Sequence, residues 1–247
     1  MAVDTQVVEL AERMQPHWTN HADTHFGKQL WRNKDAKRLV GAYVAHNLIL
    51  PGTEVFIADG TSGFWVMIGI LELDIDVHVL TNNAAISAER LSWHGRKARV
   101  SVPQGEVNCD KAAIFGPHAI DFSTYASRNA QLSVMPVTFL TFRKGPHAGD
   151  PDARRIKNAV IQNALHLAII ADSSKLGSPP TDYRQRTGPV FVGAEQEFWF
   201  NTRRNPNVTI VCDWPVNRTE DFIAEINDFQ QDELCAFHAL KLPFQND

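Results

Sequence analysis

The chain is poor in cysteine. It has three in 247 residues (Cys109, Cys212 and Cys235), scattered and never spaced as CxxC. That excludes a disulfide framework and the commonest structural zinc site, and free thiols suit a reducing compartment. The chain also lacks an excess of positive charge. Its 24 Lys and Arg stand against 28 Asp and Glu, a net −4 with a pI of about 6.2, so the overall balance does not favour nucleic acid. Long apolar runs are missing as well. The most apolar stretches, 64–71 and 165–171, fall far short of the ~20 residues a membrane helix needs. The N-terminus has neither the basic n-region nor the apolar h-region of a secretory signal. These absences lead us to expect a cytoplasmic protein with no membrane contact. What remains is ordinary globular composition, 44% apolar and 21% charged, enough for a core and unlike a disordered chain.

Strand-like and helix-like patterns alternate along the chain. Apolar residues recur at helical spacing over 4–15, ending at Pro16, and over 33–48, where Asn33 can cap. Glu54–Ala58 reads as a buried strand, followed by a turn at Asp59–Gly63 and a buried helix over 64–72. Strands are expected at 76–80, 98–102, 111–116, 136–142, 168–171 and 208–212. Helices are expected at 84–91, from Asp152 to about Leu167, and at 219–230. Residues 177–189 read as a long loop. With no repeat and no linker, the pattern argues a single α/β domain built on a mostly parallel open sheet flanked by helices.

The sharpest local signal is Asp59-Gly60-Thr61-Ser62-Gly63. Here a strand runs into two glycines around two hydroxyls, and a helix follows. Glycine allows close backbone approach, and the first N–H groups of a helix have no internal partner and sit at the positive dipole end. That chemistry suits a phosphate, although a plain strand–helix turn with a hydroxyl cap has the same look. It is neither a Walker loop nor GxGxxG. Polar clusters also follow other strands, at 81–83, 116–121 and 172–175. In an open parallel sheet these ends lie on one edge, where ligands bind, so four separate stretches converge on one crevice. Singly, each reads as a turn residue, a cap or a solvated charge.

Other clusters are weaker. His17, His21 and His25 are four apart and would share a helix face able to chelate a metal, but exposed polar residues are the simpler reading and no metal is expected. Arg154 and Arg155 read as a solvated face. Phe198, Trp199 and Phe200 near Arg203 and Arg204 read as a packed strand with a basic end. Cys109 has no base beside it.

Five stretches occur in a fixed order: Val55-Phe56-Ile57-Ala58-Asp59-Gly60-Thr61-Ser62, Val79-Leu80-Thr81-Asn82-Asn83, Asp110-Lys111-Ala112-Ala113-Ile114-Phe115-Gly116, Arg154-Arg155-Ile156-Lys157-Asn158-Ala159-Val160-Ile161, and Ile169-Ile170-Ala171-Asp172-Ser173-Ser174-Lys175-Leu176-Gly177. In this order they resemble the effector-sensing domain of DeoR-family transcriptional regulators, whose fold is like that of ribose-5-phosphate isomerase. The resemblance covers 26–177, with an N-terminal helical segment over 1–25 and a C-terminal extension over 178–247. It implies a domain that binds a phosphorylated sugar or a related anionic metabolite without any cofactor, and that self-associates. By the same resemblance Asp59, Gly60, Thr61 and Ser62 form the phosphate turn and Thr81 and Asn82 the second wall. Asp121 and Lys157 stand near the sugar, and Lys175 is the lysine of the last motif. There are departures. The 25 residues before the resemblance leave no room for a winged helix-turn-helix, so direct operator binding is not expected. The turn has Ser62 where a second Thr is usual, and Pro117 and His118 replace small and acidic residues. Two alternatives stay open: a sugar-phosphate isomerase with Asp121 as base and Lys157 or Lys175 stabilising charge, and a scaffold with a degenerate pocket.

Overall fold

The computed structural model describes residues 3–17, 23–141, 145–176, 188–189, 208–213 and 236–240. The expected helix over 219–230, the aromatic–basic stretch over 198–204, His21 and Cys235 lie outside these residues.

Three helices come first. α1 (Thr5–Arg13) begins at Asp4, whose carboxylate accepts the Gln6 N–H at 3.0 Å, and it buries Val7 and Leu10. α2 (His25–Trp31) was not expected. Its cap is the Thr24 hydroxyl, which accepts the Gly27 N–H at 3.0 Å. α3 (Lys34–Asn47) follows an Asn33 that sits in the left-handed region and makes no side-chain cap. Then β1 (Glu54–Ile57), α4 (Thr61–Glu72), β2 (His78–Thr81), α5 (Ala84–Ser92) and β3 (Arg99–Ser101) build one half of a parallel sheet. After a hairpin of β4 (Glu106–Asn108) and β5 (Ala113–Phe115), α6 (Pro117–Asn129) leads into β6 (Leu132–Pro136). β7 (Phe139–Thr141) and β8 (Gly145–Ala148) form a small antiparallel sheet, which β10 (Gly188–Pro189) later joins. α7 (Pro151–Asn163), β9 (Leu167–Ala171), a 3-10 turn (Ser173–Lys175), β11 (Val208–Asp213) and β12 (Ala236–Leu240) complete the chain.

The main sheet has seven strands in the order β12-β11-β9-β6-β1-β2-β3, and every pairing is parallel. Side-chain alternation divides it between two cores. Val55 and Ile57 pack with Val40, Val44, Phe64 and Ile68 of α3 and α4 on one face. Phe56 and Ala58 pack with Ala126 and Val160 of α6 and α7 on the other. Both faces are covered, so the strands read as continuous apolar runs. α4 is buried along its whole length, and this explains its unbroken apolar sequence. Its approach to α3 is close: a Cβ on Gly41 would stand 2.7 Å from the Trp65 carbonyl carbon.

Several expectations are corrected here. The strand placed at 111–116 is real but belongs to the β4–β5 hairpin, not the main sheet. The strand placed at 136–142 is the short β7, and the sheet strand before it, β6, carried no clear signal because Ser133 and Pro136 interrupt its apolar residues. The cap of α7 is Asp150, not Asp152, because Pro151 at the first helical position moves the start back by two. The 116–121 cluster follows the hairpin strand β5 rather than a strand of the main sheet, and it forms the N-cap and first turn of α6. Of the expected 177–189 loop, residues 177–187 lie outside the described residues, and Gly188–Pro189 form β10.

Candidate functional site

β1 is the hinge of the topology. The chain leaves it towards β2 and β3 on one side, and β6, β9, β11 and β12 lie on the other. The C-terminal ends of β1 and β6 therefore bound the place where an open α/β sheet binds ligands. There the chain passes through Asp59 and Gly60 into α4. Gly60 has φ 130°, and a Cβ on it would stand 3.0 Å from Pro136 Cβ at the end of β6, so both conformation and space demand glycine. It caps α4 without any side chain, which leaves the first N–H groups of the helix to an outside acceptor. Ser62 is 1% exposed, and its hydroxyl has no hydrogen-bond partner among the described residues.

The turn is braced from β2. The Asn82 carbonyl oxygen accepts the Asp59 N–H at 2.9 Å, and its amide donates back to Asp59 Oδ1 at 3.2 Å. Asn83 donates to the Gly60 carbonyl at 3.1 Å and caps α5 by accepting the Ala85 N–H at 3.1 Å. The Thr81 hydroxyl donates to the Ile57 carbonyl at 2.5 Å and accepts the Asn83 N–H at 3.0 Å. Thr81 and Asn82 thus tie β2 to the β1 turn, and their polar atoms are engaged in doing so. Opposite stands Lys157 of α7, 5% exposed, with Nζ 3.7 Å from Asp59 Oδ2.

A second polar cluster follows β9. Asp172 Oδ1 accepts from the Asn33 amide at 2.9 Å and from the Ser174 hydroxyl, and Lys175 Nζ lies 3.6 Å from Oδ2. The Asn33 amide also donates to Ser174 Oγ at 2.8 Å, so this residue serves the cluster rather than its own helix. Burial pushes the Asp172 carboxyl up, but Lys175, the Ser174 hydroxyl, Lys37 and Asn33 together outweigh it and hold it below the ordinary carboxylate range. Lys37, 1% exposed on α3, donates to the Gln29 carbonyl. Burial, together with the charge of Lys175, lowers its ammonium to about 7. Burial likewise lowers Lys175. Asp172 partly restores it, and the charge of Lys157 lowers it further. The cations of the two clusters therefore feel each other across the sheet edge. Arg32, Lys37, Lys157 and Lys175 stand against Asp59, Asp172 and Asp213 at this edge, one more basic group than carboxylates, a balance compatible with an anion.

Of the residues singled out in the sequence, Asp59, Gly60, Thr61, Ser62, Thr81, Asn82 and Lys157 come together around the β1 turn. Lys175 is coupled to them through Lys157. Asp121 is not drawn in: it is exposed on α6 and makes no hydrogen bond or ion pair among the described residues. Of the three histidines, His21 lies outside the described residues; His25 opens α2, whereas the His17 ring stacks on Trp93 at 4.5 Å and the His17 backbone N–H donates to Glu89 Oε1 at 2.8 Å. Among the described residues no group of three or more His, Cys, Asp or Glu is placed to hold a metal. No described helix is long and apolar enough to cross a membrane. Sequence reasoning missed Asn33, Lys37 and Asp213. Lys37 had a readable signal, since it lies three residues before Val40 and seven before Val44 on the buried stripe.

The family model described as the DeoR C-terminal sensor domain matches residues 32–181, more than half of the chain. The chain belongs to the DeoR sensor-domain family. The matched segment of this DeoR-type sensor takes in α3, the β1 turn and the site residues above except Asp213. No curated protein matches the chain. Among solved structures, ribose 5-phosphate isomerase from Plasmodium falciparum is 14% identical with a TM-score of 0.38, covering 59% of this chain and 53% of that one. Ribose 5-phosphate isomerase A from Neisseria gonorrhoeae is 11% identical with a TM-score of 0.41, covering 57% and 53%. The match thus spans about half the length of these isomerases. Translation initiation factor eIF-2B from Pyrococcus horikoshii OT3 is 12% identical with a TM-score of 0.43, covering 71% and 72%.

Proposed function

We propose that this DeoR-type sensor binds a phosphorylated sugar or a related anionic metabolite at the C-terminal edge of its sheet. The phosphate sits at the N-terminus of α4, held by the N–H groups after Gly60 and by the hydroxyls of Thr61 and Ser62. Lys157 and Lys175 balance its charge. The observation that carries this reading is the Ser62 hydroxyl, buried without a partner at a helix N-terminus capped only by glycine. A buried polar group left unpaired costs about 1–3 kcal/mol, a cost that a bound anion's oxygen removes. Lys157 and Lys175, whose charges reach each other at the same edge, support an anionic ligand. Asn82 and Thr81 act by bracing the turn rather than by touching the ligand.

Binding is favoured over turnover. Aldose–ketose isomerisation needs a carboxylate held against the sugar carbons, whereas Asp121 is exposed and unanchored on α6. The test is calorimetric titration with phosphorylated sugars, with free sugars and inorganic phosphate as controls. The expected result is saturable binding of at least one sugar phosphate, weakened about tenfold or about 1.4 kcal/mol by Lys175→Met. Unchanged affinity in both Thr61→Val and Lys175→Met overturns the reading. Product formation abolished by Asp121→Asn replaces it with an isomerase.

A further inference from the structure

The matched sensor segment ends at residue 181, but the sheet does not. β11 lies parallel to β9, with Cys212 opposite Ala171, so Asp213 emerges at the same edge as Asp172. Its carboxylate takes both donors of one residue: the Ser173 N–H at 2.5 Å on Oδ1 and the Ser173 hydroxyl at 2.7 Å on Oδ2. Ser173 is the first residue of the 3-10 turn that ends at Lys175. Within the turn the Lys175 N–H donates to the Asp172 carbonyl at 2.9 Å, and the Leu176 N–H donates to the Ser173 carbonyl at 3.2 Å.

A single turn of three residues has few internal bonds, and such turns owe their order to what grips them. This one is gripped from outside by charge-assisted bonds, which are about twice as strong as neutral ones. Asp213 holds its first residue. Asp172, itself held by Asn33, faces its last. We propose that Asp213, from beyond the matched sensor segment, is a positioning residue of the ligand site, holding the Ser173–Lys175 turn so that Lys175 presents its ammonium to the bound anion. The inference rests on the sugar-phosphate reading, because it assigns Lys175 a ligand. It means that the working sensor edge is wider than the segment the family model covers and includes a strand contributed by 208–213.

A purely structural Asp213 would affect folding but act independently of Lys175. A double-mutant cycle separates the two cases. Affinities for ribose 5-phosphate and fructose 6-phosphate are measured by calorimetry for the full chain, Asp213→Asn, Lys175→Met and the double variant, with melting temperatures alongside. The expected result is a loss of about tenfold on Asp213→Asn in the parent chain and less than twofold when Lys175 is already Met. Ser173→Ala removes the same hydroxyl bond from the other side and stands in if Asp213→Asn fails to fold, with the same dependence on Lys175 expected. Equal losses with and without Lys175, or no loss at all, overturn the inference and leave the sugar-phosphate reading standing. A parent chain that binds neither sugar phosphate overturns both.

Discussion

The N-termini of α4 and α7 are built in opposite ways, although both helices follow a turn near the same edge. α7 is closed. Asp150 accepts the N–H groups of Asp152 and Ala153 at 2.9 and 3.1 Å, Pro151 fills the first position, and Lys111 pairs with the Asp150 carboxylate. Burial pushes that carboxyl up, but the Lys111 and N–H contacts outweigh it and keep it below the ordinary range. α4 has glycine where α7 has aspartate, and its buried Ser62 hydroxyl is unmatched among the described residues. A helix that serves only the fold carries its own anion at its positive end. A helix that leaves the place open has room for someone else's.

Four substitutions sharpen that contrast, in order of expected size. Gly60→Val breaks the open end outright. It forces a β-branched residue to φ 130° against Pro136, and a loss of about 3 kcal/mol should appear in urea unfolding. The second concerns charge. Lys37 is near 7 in the folded chain and titrates normally when unfolded, so between those values the unfolded state binds more protons and stability rises with pH. From pH 7 to 9 the rise should be on the order of 2 kcal/mol, and Lys37→Met should flatten it. Above that window the Cys212 thiol and the Tyr43 phenol, both raised by burial, pull stability down again. A parent chain with no rise over pH 7–9 would show that Lys37 is not held in this way.

Third, Ser62→Ala should cost about tenfold in sugar-phosphate affinity, near 1.4 kcal/mol, while leaving the melting temperature unchanged or slightly raised. It removes a buried group that nothing in the fold satisfies. A fall in stability with no change in affinity would mean that the hydroxyl serves the helix instead. Fourth, Asp150→Ala should do the reverse, losing about 1 kcal/mol of stability as a missing cap does, with affinity untouched.

What was legible in the sequence followed local punctuation. β1, the glycine turn and the wholly apolar α4 were readable because a β-rich run, a Gly-Thr-Ser-Gly break and an unbroken apolar stretch adjoin one another. The 172–175 motif was readable for the same reason. What was not legible depends on residues that meet from afar. Asn33 looked like a cap, but its amide bonds Asp172, 139 positions on. Asp213 follows directly on the strand read at 208–212 and carried no signal of its own, and its partner Ser173 lies 40 positions back. β6 was hidden because its central place between β1 and β9 is a property of the sheet, not of Leu-Ser-Val-Met-Pro. Asp121 was carried by resemblance alone, and the face of α6 it occupies turned out to be solvent-exposed.

The reciprocal clasp of Asn82 and Asp59 has one more consequence. Asn82 holds both the backbone N–H and the carboxylate of Asp59, at 2.9 and 3.2 Å, and these are bonds of the chain to itself that owe nothing to a ligand, so the turn is braced before an encounter. Little ordering of the protein remains to offset the contacts made on arrival. Capture at this edge should therefore behave as a collision with a fixed surface, its rate following ligand concentration in direct proportion without reaching a plateau.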